Sequence, residues 1–152
     1  MQRRDFAKSA LGAGAVLLIV PRALRASSAP VAMTVYKSPT CGCCKNWVAY
    51  MQRAGFTVKT VDLEDLTAVK RDAGVPDALQ SCHTALVGAY VVEGHVPADL
   101  VTKMLNEKPK ITGIAVPGMP LGSPGMEQGQ VRHPYDVIAF ERSGKTSIYA
   151  KR

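Results

Sequence analysis

The chain has 152 residues, with 19 Lys plus Arg against 12 Asp plus Glu, 47% apolar and 20% charged residues, which is the composition of one ordinary globular domain with a single core. It excludes a disordered chain and a multi-domain enzyme. No apolar run reaches the roughly 18 to 20 residues that a membrane-spanning helix needs, so an integral membrane protein is excluded as well.

Residues 1–29 read as an export signal. Arg3 and Arg4 are adjacent, Phe6 and Lys8 follow, and the apolar stretch 10–20 is diluted by Gly12 and Gly14 and closed by Arg22 and Arg25. That is the layout of a twin-arginine signal, with cleavage expected among the small residues 26–29. Its removal takes five basic groups and one acidic group, so the formal charge falls by four, from +7 to +3. The rest of the chain carries no Lys/Arg stripe interleaved with aromatics, which argues against nucleic-acid binding. The expected destination is the bacterial periplasm, with no membrane span after cleavage. In that oxidising compartment the four cysteines must be paired, metal-bound or actively kept reduced.

Downstream, Ala32 to Tyr36 reads as a strand that ends at Ser38-Pro39-Thr40 and runs into Cys41-Gly42-Cys43-Cys44. Cys44, Trp47, Val48, Met51 and Ala54 recur at helical spacing, and Gly55 stops the helix. Phe56 to Val61 alternates as a second strand. Leu66 to Ala73 reads as a short helix, with Asp62, Glu64 and Asp65 just before it, where carboxylates favour a helix N-terminus. Thr84 to Val87 and Ala89 to Val92 read as two strands around Gly88, a hairpin or a bulged pair, the second closed by Glu93-Gly94. Pro97 is expected at the first position of a helix whose buried stripe is Leu100, Val101, Met104 and Leu105. Residues 109–134 are rich in Gly and Pro and are expected to hold no regular element. Their length in so small a domain suggests a functional or packed loop. Tyr135 to Phe140 and Thr146 to Ala150 close the chain as a hairpin. A parallel strand pair joined by a helix, then an antiparallel pair, then a helix predicts a thioredoxin-like α/β fold. In that register the Ser81-Cys82-His83-Thr84 segment faces the cysteine turn, and two distant sulfur sites converge.

The cysteine turn contains both a C-x-C and a C-x-x-C spacing. It stands where helix N–H groups and the helix dipole favour thiolate over thiol, and Lys45 adds positive charge. Cys43 and Cys44 are adjacent, an awkward geometry for a disulfide. If Cys41 pairs with Cys44, only Cys82 remains for Cys43. Three uses compete. A thiol-disulfide oxidoreductase would use Cys41 and Cys44, with Cys43 inviting mispaired products. Structural disulfides are compatible with the compartment but gain little loop-closure entropy from so local a bridge. A metal site employs all the thiols together, and its soft donors select Cu(I) ahead of Zn(II).

His83 directly follows Cys82, so an imidazole arrives with the thiol as a ligand or a partner of one. By local context His95 and His133 read as ordinary histidines. Met33, Met51 and Met104 read as core filler. Met119 and Met126 differ: they lie in two Pro-Gly-Met repeats seven residues apart, where no periodicity explains burial, and thioether sulfur is a soft donor. They are expected to bind copper or to cover the site.

Four motifs in order complete the picture: Tyr-Lys-Ser-Pro-Thr-Cys-Gly-Cys-Cys-Lys-Asn-Trp, Ser-Cys-His-Thr-Ala, Glu-Gly-His-Val-Pro-Ala, and Pro-Gly-Met-Pro-Leu-Gly-Ser-Pro-Gly-Met-Glu. With them, residues 33–127 resemble a family of small exported metal-binding proteins, the CopI-like proteins. That family was long described only as a domain of unknown function and is linked in part to bacterial copper tolerance. The resemblance implies a thioredoxin-like fold and copper handling. It nominates Cys41, Cys43, Cys44 and Cys82, with His83, His95, Met119 and Met126 around them.

The resulting expectation is a monomeric periplasmic protein that buffers, sequesters or transfers Cu(I) without catalytic turnover. Cys41, Cys44 and Cys82 are its primary thiolates, and Cys43 is a fourth ligand or the mobile one that passes the ion on. A periplasmic copper donor or acceptor is the implied partner. The alternative from another class is a thioredoxin-like disulfide reductase or isomerase acting on cuproprotein cysteines.

Overall fold

The computed structural model describes residues 30–152, so the expected export signal and its cleavage region lie outside the described residues. Seven strands and three helices follow in the order β1 (Ala32–Lys37), α1 (Gly42–Arg53), β2 (Thr57–Asp62), α2 (Thr67–Ala73), β3 (His83–Val87), β4 (Tyr90–Gly94), α3 (Ala98–Glu107), β5 (Gly113–Val116), β6 (Asp136–Phe140) and β7 (Thr146–Lys151). A 3-10 turn, Asp77–Leu79, precedes β3. All strands join one mixed sheet in the order β2-β1-β3-β4-β5-β6-β7. β1 pairs parallel with β2 and β4 parallel with β5, and the other neighbours are antiparallel. No helix among the described residues is long and apolar enough to cross a membrane.

Strand alternation sorts the side chains onto two faces. On one, Met33, Val35, Ala85, Val87, Val92, Ile114 and Val116 pack under Trp47, Val48 and Met51 of α1 and Leu100, Val101 and Met104 of α3. On the other, Val91, Ala115 and Phe140 pack with Ala73, Val75 and Leu79 beside α2 and the 3-10 turn. Gly55, at φ +97°, ends α1 as expected, because only glycine takes that conformation without strain. Gly88 and Ala89 form the turn of a β3–β4 hairpin. The methionines read as core filler, Met33, Met51 and Met104, are at most 2% exposed.

Three expectations change. The stretch 109–134 does contain a regular element, β5, whose ladder bonds come from β4 and β6 rather than from local signals. Gly113 opens that strand because a Cβ there would lie 2.1 Å from the Val91 carbonyl oxygen. Pro97 is the N-cap of α3, not its first helical residue, with extended backbone at ψ 140°. Glu93 does not close β4 at a polar end; it lies inside the strand and is fully buried.

Candidate metal centre

β1 delivers the chain into the cysteine turn. Cys41 N–H donates to the Ser38 carbonyl at 3.2 Å, and Cys41 caps α1, its Sγ accepting the Cys44 N–H at 3.3 Å. Cys41 and Cys44 are joined in a disulfide, while Cys43 and Cys82 are free. Cys43 Sγ lies 3.4 Å from Cys41 Sγ. Cys44 Sγ lies 3.7 Å from the Cys82 carbonyl oxygen, bringing the turn against the start of β3.

Cys82 is the common member of two donor groups. The sulfurs of Cys41, Cys43, Cys44 and Cys82 lie within 4.8 Å of one another, and so do donor atoms of Cys82, His83 and His95. Cys82 Sγ is 3.2 Å from His83 Nδ1 and 3.0 Å from His95 Nε2. His95 Nδ1 lies 2.8 Å from the Pro124 carbonyl oxygen. A carbonyl only accepts, so His95 carries its proton on Nδ1 and turns the lone pair of Nε2 toward the thiol. That is the arrangement of a ligand histidine with its far nitrogen anchored. His83 is fully buried, with its ring centroid 4.5 Å from that of Trp47 and 5.1 Å from that of His95. Its Nε2 has no hydrogen-bond partner.

The electrostatics favour uncharged donors in the metal-free state. Burial pushes the Cys82 thiol up to about 12, and the neighbouring Cys43 adds to the rise. Burial also holds His83 well below the usual histidine value, helped by His95 and Lys70, and lowers His95. A metal entering here meets neutral imidazoles and displaces a proton from Cys82.

The Gly/Pro-rich loop closes over the helix N-terminus. Besides the Pro124–His95 bond, Gly125 sits so near α1 that a Cβ would meet Trp47 N at 2.8 Å and the Cys43 carbonyl oxygen at 2.9 Å. Met126 is the next residue and is half-buried. Met119 is 42% exposed, at a left-handed φ of 49°. The structure thus gathers Cys41, Cys43, Cys44, Cys82, His83 and His95, sets Met126 on the packed part of the loop, and leaves Met119 facing solvent. His133 is exposed.

One group escaped the sequence reading. Glu93 Oε1 lies 2.5 Å from Lys70 Nζ and accepts the Ser81 N–H at 2.6 Å, while Oε2 accepts the Thr84 hydroxyl at 2.6 Å. Glu93, Lys70 and Thr84 are all buried. Burial raises the Glu93 carboxyl above its usual value, and Lys70 with the hydrogen bonds from Thr84 and Ser81 opposes the rise. The available signal was a lone carboxylate within an otherwise apolar strand, Val91-Val92-Glu93.

A family model described as a protein of unknown function, DUF411, matches residues 79–126, which include Cys82, His83, His95, Met119 and Met126. Two solved structures named copper resistance protein CopG, Form 1 and Form 2, are each 44% identical in sequence to this chain, with a TM-score of 0.77. Each match covers 81% of this chain and 98% of the other. No curated protein matches. The resemblance read from the four motifs, to a copper-tolerance-linked family once of unknown function, therefore holds.

Proposed function

This chain belongs to the family of the copper resistance protein CopG, and from that premise we propose that it binds Cu(I) as cargo at Cys41, Cys43, Cys44 and Cys82, with His83 and His95 beside them. The observation that carries the reading is the convergence on Cys82, whose sulfur belongs both to the four-sulfur group and to the sulfur–imidazole group. Soft thiolates select Cu(I), and His83 Nδ1 and His95 Nε2 both face the Cys82 sulfur. In the oxidised form two of the four sulfurs are tied up in the Cys41–Cys44 bond. Two electrons and two protons from a dithiol reductant return both as thiols, and each loses its proton on binding metal. Two or three thiolates suit Cu(I), and a closed tetrahedral set suits Zn(II). Met119 is exposed, so Met126, on the packed part of the loop, is the thioether placed to serve as donor or cover.

The role is buffering, sequestration or transfer, without turnover. The twin-arginine signature of residues 1–29 supports a periplasmic location, where a copper donor or acceptor is the partner. The β2-β1-β3-β4 order, with the cysteine turn between β1 and α1, supports a thioredoxin-like core that β5 to β7 extend.

The test is an anaerobic titration of the reduced chain with Cu(I) against a competing chelator, with a parallel Zn(II) titration and a thiol count. Tight, stoichiometric Cu(I) binding that protects the thiols is expected; weak binding overturns the reading. One observation favours a second reading, a thiol-disulfide oxidoreductase: a C-x-x-C disulfide at a helix N-terminus with the Cys43 thiol 3.4 Å from one of its sulfurs. Reduction of a test disulfide by the metal-free protein, lost in Cys41→Ser, would establish it.

A further inference from the structure

We propose that Glu93 is a positioning residue for the metal centre, holding the Cys82–His83 dipeptide in place through the residues on either side of it; the inference deepens the copper-binding reading and rests on it. The Glu93 carboxylate reaches both flanks of the dipeptide. One oxygen accepts the N–H of Ser81, just before Cys82, and the other accepts the hydroxyl of Thr84, just after His83. The sheet holds His83, paired with Lys37 of β1, but not Cys82. The β3–β4 ladder begins at Thr84, paired with Glu93, and Cys82 lies outside every strand register. Ser81 also packs so tightly on the end of β4 that a Cβ at Gly94 would lie 2.6 Å from its Oγ.

Strand alternation decides how Glu93 acts. Val91 and Ala115 share its side of the sheet with α2, whereas His83 lies against Trp47 on the α1 side. Glu93 therefore bonds none of the donor atoms and works through the Ser81 N–H and the Thr84 hydroxyl. Lys70, from α2, bonds both the carboxylate and Thr84 Oγ1, which makes a buried carboxylate tolerable and stiffens the clamp. Two residues beyond Glu93 the same strand delivers His95, so one residue couples both arms of the sulfur–imidazole group.

The test uses the full chain carrying Lys70→Met with Glu93→Leu, which removes the clamp while stranding no buried charge. Thr84→Val, which removes the hydroxyl bonded to Glu93 and Lys70 and leaves the Glu93–Ser81 and Glu93–Lys70 bonds, serves if the double variant does not fold. The metal-free readout is the alkylation rate of Cys82 in a Cys43→Ser background with the Cys41–Cys44 disulfide intact, where Cys82 is the one free thiol. The second readout is Cu(I) affinity of the reduced chain, with Cys82 present and with Cys82→Ser. Faster alkylation is expected, together with an affinity loss of about 10- to 100-fold that disappears in the Cys82→Ser background. An equal loss in both backgrounds means general loosening and overturns the proposal, as do unchanged alkylation and affinity in a folded variant. If the parent chain fails to bind Cu(I), the copper reading falls, and the alkylation rate still decides the positioning role.

Discussion

Cys82 Sγ lies 3.0 Å from His95 Nε2, across thirteen residues of chain, because Cys82 stands just before β3 and His95 just after its hairpin partner β4. The thiol meets an unprotonated nitrogen whose ring is fixed from behind by the Pro124 carbonyl. Since Cys82 serves both donor groups, Cys82→Ser is expected to weaken Cu(I) binding beyond the about 10- to 100-fold loss that follows removal of a ligand's support. Competitive titration of the reduced variant measures it, and wild-type affinity would remove Cys82 from the ligand set.

Acid should destabilise the metal-free protein. His83 and His95 are buried with lowered pKa values, so between those values and the ordinary 6.5 the unfolded chain binds more protons than the folded one. Stability is then full above about pH 6.5 and is lost as pH falls, with a slope of up to about 1.4 kcal/mol per pH unit for each group. Urea denaturation at pH 7.5, 6.0 and 5.0 reads the slope. A flat profile would contradict neutral burial.

The proposed copper loading requires the chain to survive reduction of its disulfide. The bridge closes a loop with a sequence separation of only 3, for which chain entropy gives about 2 kcal/mol at most. Adding reductant should therefore lower the denaturation midpoint modestly while the cooperative transition persists. Loss of the transition on reduction would make the bridge structural.

The loop over α1 depends on Gly125. Its φ of +87° disfavours any side chain, and a Cβ would run into backbone atoms of Cys43 and Trp47. Gly125→Ala is expected to cost more than about 1 kcal/mol and, by lifting Pro124 off His95, to lower Cu(I) affinity as well. Gly42→Ala, where a Cβ meets nothing within 4 Å, should change stability by less than about 0.5 kcal/mol. Equal behaviour of the two variants would mean that the loop does not rest on the helix.

Much of this was legible along the chain. The cysteine turn, the amphipathic stripe of α1, the hairpin around Gly88 and the terminal hairpin follow from spacing and turn chemistry, which act over a few residues. Juxtaposing Cys82 with the cysteine turn needed only the element order, because a strand, a helix and a returning strand bring their ends together. His95 carried no local signal and entered through its motif alone.

What escaped was set by partners far along the chain. β5 is four residues long within a Gly/Pro-rich stretch, too short for periodicity to register, and it is a strand because β4 and β6 offer it ladders. Glu93 reads as a polar stop until Lys70, 23 residues away, stands 2.5 Å from its carboxylate. Composition and local spacing thus determine the donor chemistry, since soft sulfur and imidazole are properties of the residues themselves. Which donors meet, and what holds them, is decided only by the packed sheet, because burial and hydrogen-bond partnership belong to the whole fold and not to any segment of it.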